Sequence, residues 1–463
     1  MKRTFYLMMA GVLILAGILS GCSGAVKSVP GASKPVSGNS GGSKAPSSVS
    51  EGSGDPYVAR TSVPKAKTVV NPRLLTGIPS RVSLVDPKAT KKTVNLYAYL
   101  KGIAASGDMI YGHQNDTTNK AVLHDAGTES DTKDMTGSLP GLCGIDALSM
   151  TGAELQLKPP FQNLIEETAD VSVRAAKQGA VITLSAHMPN FDGVKAKGKK
   201  NGKYDYSGYT PTETVGNVAA RILPGGNLNT VYTGYLDMIA GYAKLLGKAD
   251  VPVLFRPFHE NNGNWFWWGA GHCETSVYRS LYRYTVEYLR DKKGVHNFLY
   301  VFSPNGPFET EESYLADYPG DGYVDVLAFD YYDTDRAAGG PWFSAFSKTA
   351  DVVAGAARKH GKLSAVAETG LMSNGSFLAV SGNADKNWFS EAANTLSGKG
   401  MAYFMTWANF GEADGFFEPY LTGGAKGHEN VNGIIDFYNR ENIVFANGVG
   451  DYSALSVKNV RQP

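Results

Sequence analysis

Cysteine is scarce: the 463 residues hold 3, at positions 22, 143 and 273. So few exclude a disulfide framework as the source of stability and leave that task to a large apolar core. Charge of one sign is lacking too. Lys and Arg number 44 against 43 Asp and Glu, for a formal net charge of +1. With no basic stripe interleaved with aromatics, nucleic acid is excluded as a partner class. The apolar run Phe5 to Leu19 is too short for a comfortable membrane span. No His-Glu-x-x-His helix occurs, which removes the usual signature of a zinc hydrolase.

Aromatics, by contrast, are plentiful, with 6 Trp, 25 Tyr and 20 Phe. A near-neutral, aromatic-rich surface suits a neutral hydroxylated ligand better than a polyanion. The start of the chain reads as a targeting signal rather than as fold. Lys2 and Arg3 precede the apolar run, and Leu19-Ser20-Gly21-Cys22 resembles a bacterial lipobox. Residues 1–22 are therefore expected to be a lipoprotein signal peptide that leaves Cys22 lipidated. The product is an exported, cell-surface lipoprotein touching the membrane through its anchor only. Residues 23–65 are rich in Ser, Gly and Pro and are expected to form a flexible, disordered tether. Export would permit Cys143 and Cys273 to pair; two free thiols are the plainer alternative.

Residues 66–463 alternate apolar runs with amphipathic stretches. The runs are Met109–Gln114, Leu139–Asp146, Ala180–Met188, Val251–Glu260, Asn297–Asn305, Val324–Tyr332, Leu363–Gly370 and Met401–Phe410. Their near-continuous apolar character fits parallel strands buried on both faces, and eight of them predict a (β/α)8 TIM barrel as a single catalytic domain. Polar residues close these runs: His113, Asp146, His187, Glu260, Asn305, Tyr332, Glu368 and Trp407. In a barrel those ends open onto one face, where active sites are built. The long stretch Asp192–Leu228 is expected to be an insertion at that face.

The densest signal is the fifteen-residue block from Phe255 to Gly269, which carries Arg256, His259, Glu260, Trp265, Trp267 and Trp268. Strand alternation predicts Arg256, Phe258 and Glu260 on one side. The indoles read either as sugar-stacking faces or as core. A second carboxylate, Glu368, closes an otherwise neutral strand. Two glutamates on strands four and seven can converge across the mouth. Glycoside hydrolysis needs such a pair, one protonated to release the leaving oxygen and one ionised to attack or activate water. Burial and the charge of Glu368 are expected to keep Glu260 protonated, with Arg256 close to Glu368.

Gly112-His113-Gln114, His259-Glu260 with its Trp-rich tail, Asp330-Tyr331-Tyr332 and Ala367-Glu368-Thr369 resemble glycoside hydrolase family 26, whose best-known members are endo-β-1,4-mannanases. The similarity runs from about residue 85 to 440. It implies Glu260 as acid/base, Glu368 as nucleophile and Tyr332, or its neighbour Tyr331, as the partner of the nucleophile. It further implies His259 supporting Glu260, His187 and Trp265 lining the subsite of the attacked sugar, Trp407 as its floor and His113 as a wall. No cofactor or metal is implied. The substrate would be mannan, glucomannan or galactomannan, and the protein a monomer. One departure concerns distal subsites: Ala408 and Asn409 follow Trp407 where mannanases of the family often have a basic residue. The same glutamates also serve β-1,3-xylanases and mixed-linkage β-glucanases. Two other readings differ in kind. A metallohydrolase would gather His113, His187, His259 and Glu260 around an ion; a non-catalytic carbohydrate-binding lipoprotein would not need two opposed glutamates.

Overall fold

A computed structural model describes residues 55–121, 130–208, 210–334, 338–372, 378–410 and 416–460. The signal peptide, Cys22 and residues 23–54 of the expected tether lie outside the described residues. Eight parallel strands follow the apolar runs: β1 Met109–Gln114, β2 Leu142–Asp146, β3 Val181–Ala186, β4 Val253–Pro257, β5 Phe298–Phe302, β6 Val326–Asp330, β7 Leu363–Thr369 and β8 Met401–Thr406. They pair in chain order, and β8 closes on β1 through Tyr403–Ile110 to Thr406–His113. The sheet has become a barrel.

Alternation along each strand divides its side chains between two cores. Ile110, Leu142, Val181, Leu254, Leu299, Val326, Ala328, Leu363 and Ala365 pack inside the barrel, in one cluster with Val94, Leu96, Tyr97 and Leu100. The latter belong to α1, Lys91–Ser106, which plugs the N-terminal end of the barrel. Thr90 caps that helix by accepting from the Thr93 N–H, and Gly107 ends it with φ 83°, a left-handed turn that costs glycine little. Outward residues such as Tyr111, Ile182, Phe255, Phe298, Phe329 and Val366 meet the outer helices. These are chiefly α2 Leu164–Lys177, α3 Asn229–Lys248, α4 Thr275–Glu287, α5 Pro341–Lys359, α6 Trp388–Leu396 and α7 Val431–Tyr438.

The amphipathic stretches of the sequence fall on α2 to α6. Among the described residues, the connections after β1 and β5 carry only the short helices Asp131–Thr136 and Glu311–Tyr314. The insertion contains a helix at Phe191–Lys197 and a small hairpin. It docks on the loop after β4, where the Trp267 N–H donates to the Pro211 carbonyl at 3.0 Å. Phe191 meets the Trp267 ring edge-on, with centroids 5.7 Å apart.

One expectation changes. The segment from Asp55 to Lys65, assigned to the tether, is docked on the domain: Val58–Ala59 pairs antiparallel with Lys426–Gly427. The Thr61 and Ser62 N–H groups share the Asn432 side-chain oxygen, and the Lys65 N–H donates to Asn439. Asn side chains here supply the acceptors that a Ser- and Pro-rich strand cannot find in a regular ladder. The cysteines follow the plainer reading: Cys143 is buried on the outer face of β2 and Cys273 is half-buried in the loop after β4, both as free thiols. Thiol titration of the unreduced, denatured domain from residue 55 onward is expected to count two reactive groups; a count of zero would show that they pair.

Candidate active site

At the C-terminal ends of the strands the inward positions turn polar. In β3 the inward set runs Val181, Thr183, Ser185, and in β6 it runs Val326, Ala328, Asp330. Arg256 continues the inward set of β4 after Leu254. Its guanidinium is 1% exposed and donates from Nη1 to Asp330 at 2.8 Å, and from Nη2 to Glu368 at 2.7 Å and Ser185 at 3.2 Å. A fully buried cation requires such partners. The two carboxylates outweigh the burial that disfavours the charge, and they hold the guanidinium protonated.

Glu368 reaches this cation because β7 breaks its own rhythm. Leu363 and Ala365 face in, so strict alternation would send residue 368 outward. The register against β6 shifts by one, from Val366–Phe329 to Glu368–Asp330. Ala367 is the extra residue of a bulge, and the bulge aims Glu368 inward beside Asp330. Its second oxygen accepts from the Tyr332 hydroxyl at 2.5 Å. Tyr331, the neighbouring candidate, turns away and packs on Trp342 with centroids 5.7 Å apart.

Glu260 arrives differently. β4 ends at Pro257, and Phe258 and Glu260 take left-handed φ values of 52° and 51°. Such angles cost a non-glycine residue roughly 1–2 kcal/mol each. They also undo the expected alternation: Phe258 swings into the outer core against Trp267, Trp268 and Tyr278. Hydrogen bonds lock the turn. The Glu260 N–H donates to the Ser303 carbonyl at 2.8 Å, and the Tyr278 hydroxyl donates to the Phe258 carbonyl at 3.1 Å. Each indole of the Trp-rich loop then has its own acceptor. Trp265 donates to Glu260 Oε2 at 2.8 Å, Trp267 to the Met188 carbonyl at 3.1 Å and Trp268 to the His259 carbonyl at 2.8 Å. Trp267 and Trp268 are fully buried, so two of the three are core rather than stacking faces. Trp265 alone borders the mouth; its ring lies over Gly263, where a Cβ would come within 2.3 Å of it.

Burial pushes the Glu260 carboxyl well above the usual carboxylate range, and the nearby charges of Glu368 and Asp330 add to it. The Trp265 N–H and Arg256 oppose that rise without cancelling it. Burial is also the main cause raising Asp330.

His187 and His259 meet beside this cluster, with Nε2 atoms 3.0 Å apart. His187 Nδ1 also lies 2.6 Å from Asp146 Oδ2. Burial, Arg256 and His187 hold His259 well below the usual imidazole range, so it is neutral. Trp407 closes the mouth, its ring 5.5 Å from His187 and 5.9 Å from the Arg256 guanidinium carbon. Tyr332, Trp407, Met372, Ala408 and Phe417 form a small apolar cluster beside Glu368.

His113 is not brought to this mouth. It shares the outward face of β1 with Tyr111, and it is 0% exposed. Its Nδ1 lies 2.9 Å from Asp116 and 3.0 Å from Glu418. These carboxylates overcome burial and lift the imidazole to about 9, so it is an imidazolium shared by two acids. Strand alternation, which the sequence reading did not apply to β1, explains the displacement. Among the described residues these three are the one His/Cys/Asp/Glu group with ligand atoms within 4.8 Å of one another. It contains none of His187, His259 and Glu260, so the constellation of a metallohydrolase is not assembled. Asp330 was overlooked as the partner of Arg256, although the inward positions 326 and 328 lead directly to it. A cavity of about 650 Å³ lined by Tyr204, Tyr206, Asp205 and Asp237 lies apart from both glutamates.

Comparison with known proteins finds relatives of this fold. The family model described as glycosyl hydrolase family 26 matches residues 85–413. A mannan endo-1,4-beta-mannosidase of Bifidobacterium adolescentis is 36% identical over 384 residues, spanning 80% of this chain but 36% of that protein. The chain thus covers about a third of that curated relative's length. Among solved structures, the catalytic domain of Bacillus sp. JAMB-750 GH26 endo-beta-1,4-mannanase superposes with TM-score 0.71 at 32% identity. The match covers 83% of this chain and 100% of that one. A modular endo-beta-1,4-mannanase from Cellulomonas fimi gives TM-score 0.69 at 32% identity, covering 82% and 81% of the two chains.

Replacing Arg256 by Met would strand Asp330 and Glu368 in the interior without their cation. Urea unfolding is expected to show a loss of about 3–5 kcal/mol; stability within 1 kcal/mol of the parent, on the same scale, would mean that the ion pairs are dispensable.

Proposed function

The chain belongs to glycosyl hydrolase family 26, and from that premise we propose that it is a retaining endo-β-1,4-mannanase acting on mannan, glucomannan or galactomannan by double displacement. One observation carries the reading: a single mouth holds one carboxyl kept neutral by burial, Glu260, and another paired with a buried guanidinium, Glu368. Opposite protonation of two acids in one site is what cleavage of a glycosidic bond requires.

In this scheme Glu260 gives its proton to the leaving oxygen while Glu368 attacks the anomeric carbon, forming a glycosyl ester and breaking the glycosidic bond. Glu260, now ionised, then takes a proton from water as that water attacks the same carbon, and Glu368 leaves. The Tyr332 hydroxyl and Arg256 hold the Glu368 oxygens for the attack. The Trp265 N–H supports the Glu260 carboxylate formed after proton release. Trp407 supplies the apolar floor for the sugar, and His187 and His259 shape the wall beside it. We further propose that Cys22 carries a lipid anchor at the cell surface. Incorporation of labelled palmitate that is lost in Cys22→Ala tests that; unchanged labelling of the variant would discard it.

Hydrolysis of mannan, β-1,3-xylan and mixed-linkage glucan, followed by chromatography, should show oligosaccharide release from mannan. NMR of the first product should show the β anomer. Glu368→Ala is expected to abolish release, and Glu260→Ala to slow it by about 10²–10⁴-fold. Because the raised carboxyl of Glu260 must keep its proton, activity should persist as pH rises toward that value and fall beyond it. Full activity in either variant, or an inverted first product, would refute the mechanism.

A further inference from the structure

Asp146 lies at the end of β2, two strands away from the turn that carries Glu260. Its carboxylate is held from both sides. Oδ1 accepts the backbone N–H of Leu148 at 3.0 Å and of His187 at 3.3 Å, and Oδ2 lies 2.6 Å from His187 Nδ1. His187 Nε2 in turn lies 3.0 Å from His259 Nε2. His259 Nδ1 is buried and has no hydrogen-bond partner. These contacts form one chain from β2 through β3 to the residue before Glu260.

We infer that Asp146 is a positioning residue, which fixes the tautomers of His187 and His259 and thereby anchors the left-handed turn bearing Glu260. The inference rests on the catalytic role proposed for Glu260 and extends it. The proton order follows from counting donors. A carboxylate can only accept, so His187 carries hydrogen on Nδ1. Were His187 also protonated on Nε2, His259 would keep its own hydrogen on Nδ1, where a buried N–H would have no acceptor. An orphaned buried donor is costly. Hence His187 Nε2 accepts, His259 Nε2–H donates, and His259 Nδ1 keeps a bare lone pair. Neither imidazole has an N–H left for a substrate. Their work is mechanical: they tie residue 259 to β3 and β2, while the Trp268 indole holds its carbonyl from the other side. Phe258 and Glu260, in left-handed conformations, depend on such fixed surroundings.

Replacing Asp146 by Asn makes a sharp prediction. The backbone donors of Leu148 and His187 would retain the amide oxygen, which leaves the amide N–H₂ facing His187 Nδ1. The whole chain then inverts, as in serine proteases when the triad aspartate becomes asparagine. His187 would carry hydrogen on Nε2 and His259 on Nδ1.

Long-range ¹H–¹⁵N NMR of histidine-labelled protein, assigned with His187→Gln and His259→Gln, reads these protons directly. In the parent, His259 should be protonated on Nε2 and His187 on Nδ1; in Asp146→Asn both should switch. Asp146→Ala removes the anchor, and kcat on mannan should fall by about 100-fold while KM changes less than about 3-fold, as expected when the reacting acid is misplaced rather than binding lost. A parent His259 protonated on Nδ1, or an Asp146→Ala enzyme with parental kcat, overturns the assignment. The tautomer measurement needs no substrate, so an inactive parent would count against the mannanase reading and leave this result to decide the relay.

Discussion

Arg256 enters the barrel mouth fully buried, and a charge there is tolerable only because Asp330 and Glu368 each place an oxygen within 2.8 Å of it. The dependence is mutual. Either carboxylate without the cation would be an uncompensated buried charge. The remaining acid, Glu260, shares the site but has no hydrogen bond to the guanidinium; its visible partner is the Trp265 indole. One cation cannot balance three carboxyls in a low-dielectric mouth. Part of the excess is relieved by keeping a proton where no hydrogen bond to the cation offsets burial, as at Glu260. The division of labour between the two glutamates is therefore set by who holds the arginine.

Geometry enforces the same division. Glu368 is on a strand and Glu260 is just beyond one, and neither obeys simple alternation. A bulge at Ala367 turns one inward, and two left-handed residues turn the other. Both distortions are held by neighbours rather than by local preference. Ser303, Tyr278 and Trp268 pin the turn at Phe258–Glu260, and β6 pins the bulge. The Trp-rich loop thus acts chiefly as a scaffold, with its indole N–H groups as fasteners.

This explains what the sequence made legible. The eight apolar runs lie on the eight barrel strands because parallel strands covered on both faces leave a continuous apolar signature. The two glutamates, Tyr332 and Trp407 were visible as polar or aromatic residues closing such runs. Direction was less visible. His113 also closes a run, yet β1 alternation carries it outward with Tyr111, where Asp116 and Glu418 receive it. Phe258 was expected beside Arg256 and sits in the outer core, because a left-handed φ has no signature in a phenylalanine. A bulge is equally silent, since Ala367 reads like any other small strand residue. Partnerships across the barrel, such as Arg256 with Asp330, 74 residues away, become legible only when parity is carried through each strand to its last residue.

The residues after Trp407 show how a departure from a family pattern can be structural. Ala408 and Asn409 are both buried, and the Asn409 side chain is fully bonded. It accepts from the Phe417 and Glu418 N–H groups at 2.9 and 3.0 Å and donates to Asp131 at 3.0 Å. Asn409 thereby ties the end of β8 to the segment carrying Phe417, which packs on Tyr332, and Glu418, which holds His113. A long basic side chain at either position would have to displace these bonds or bury a charge among them. Where the family often carries a cation, this loop holds an amide that braces the segment packed on Tyr332, the hydrogen-bond partner of Glu368.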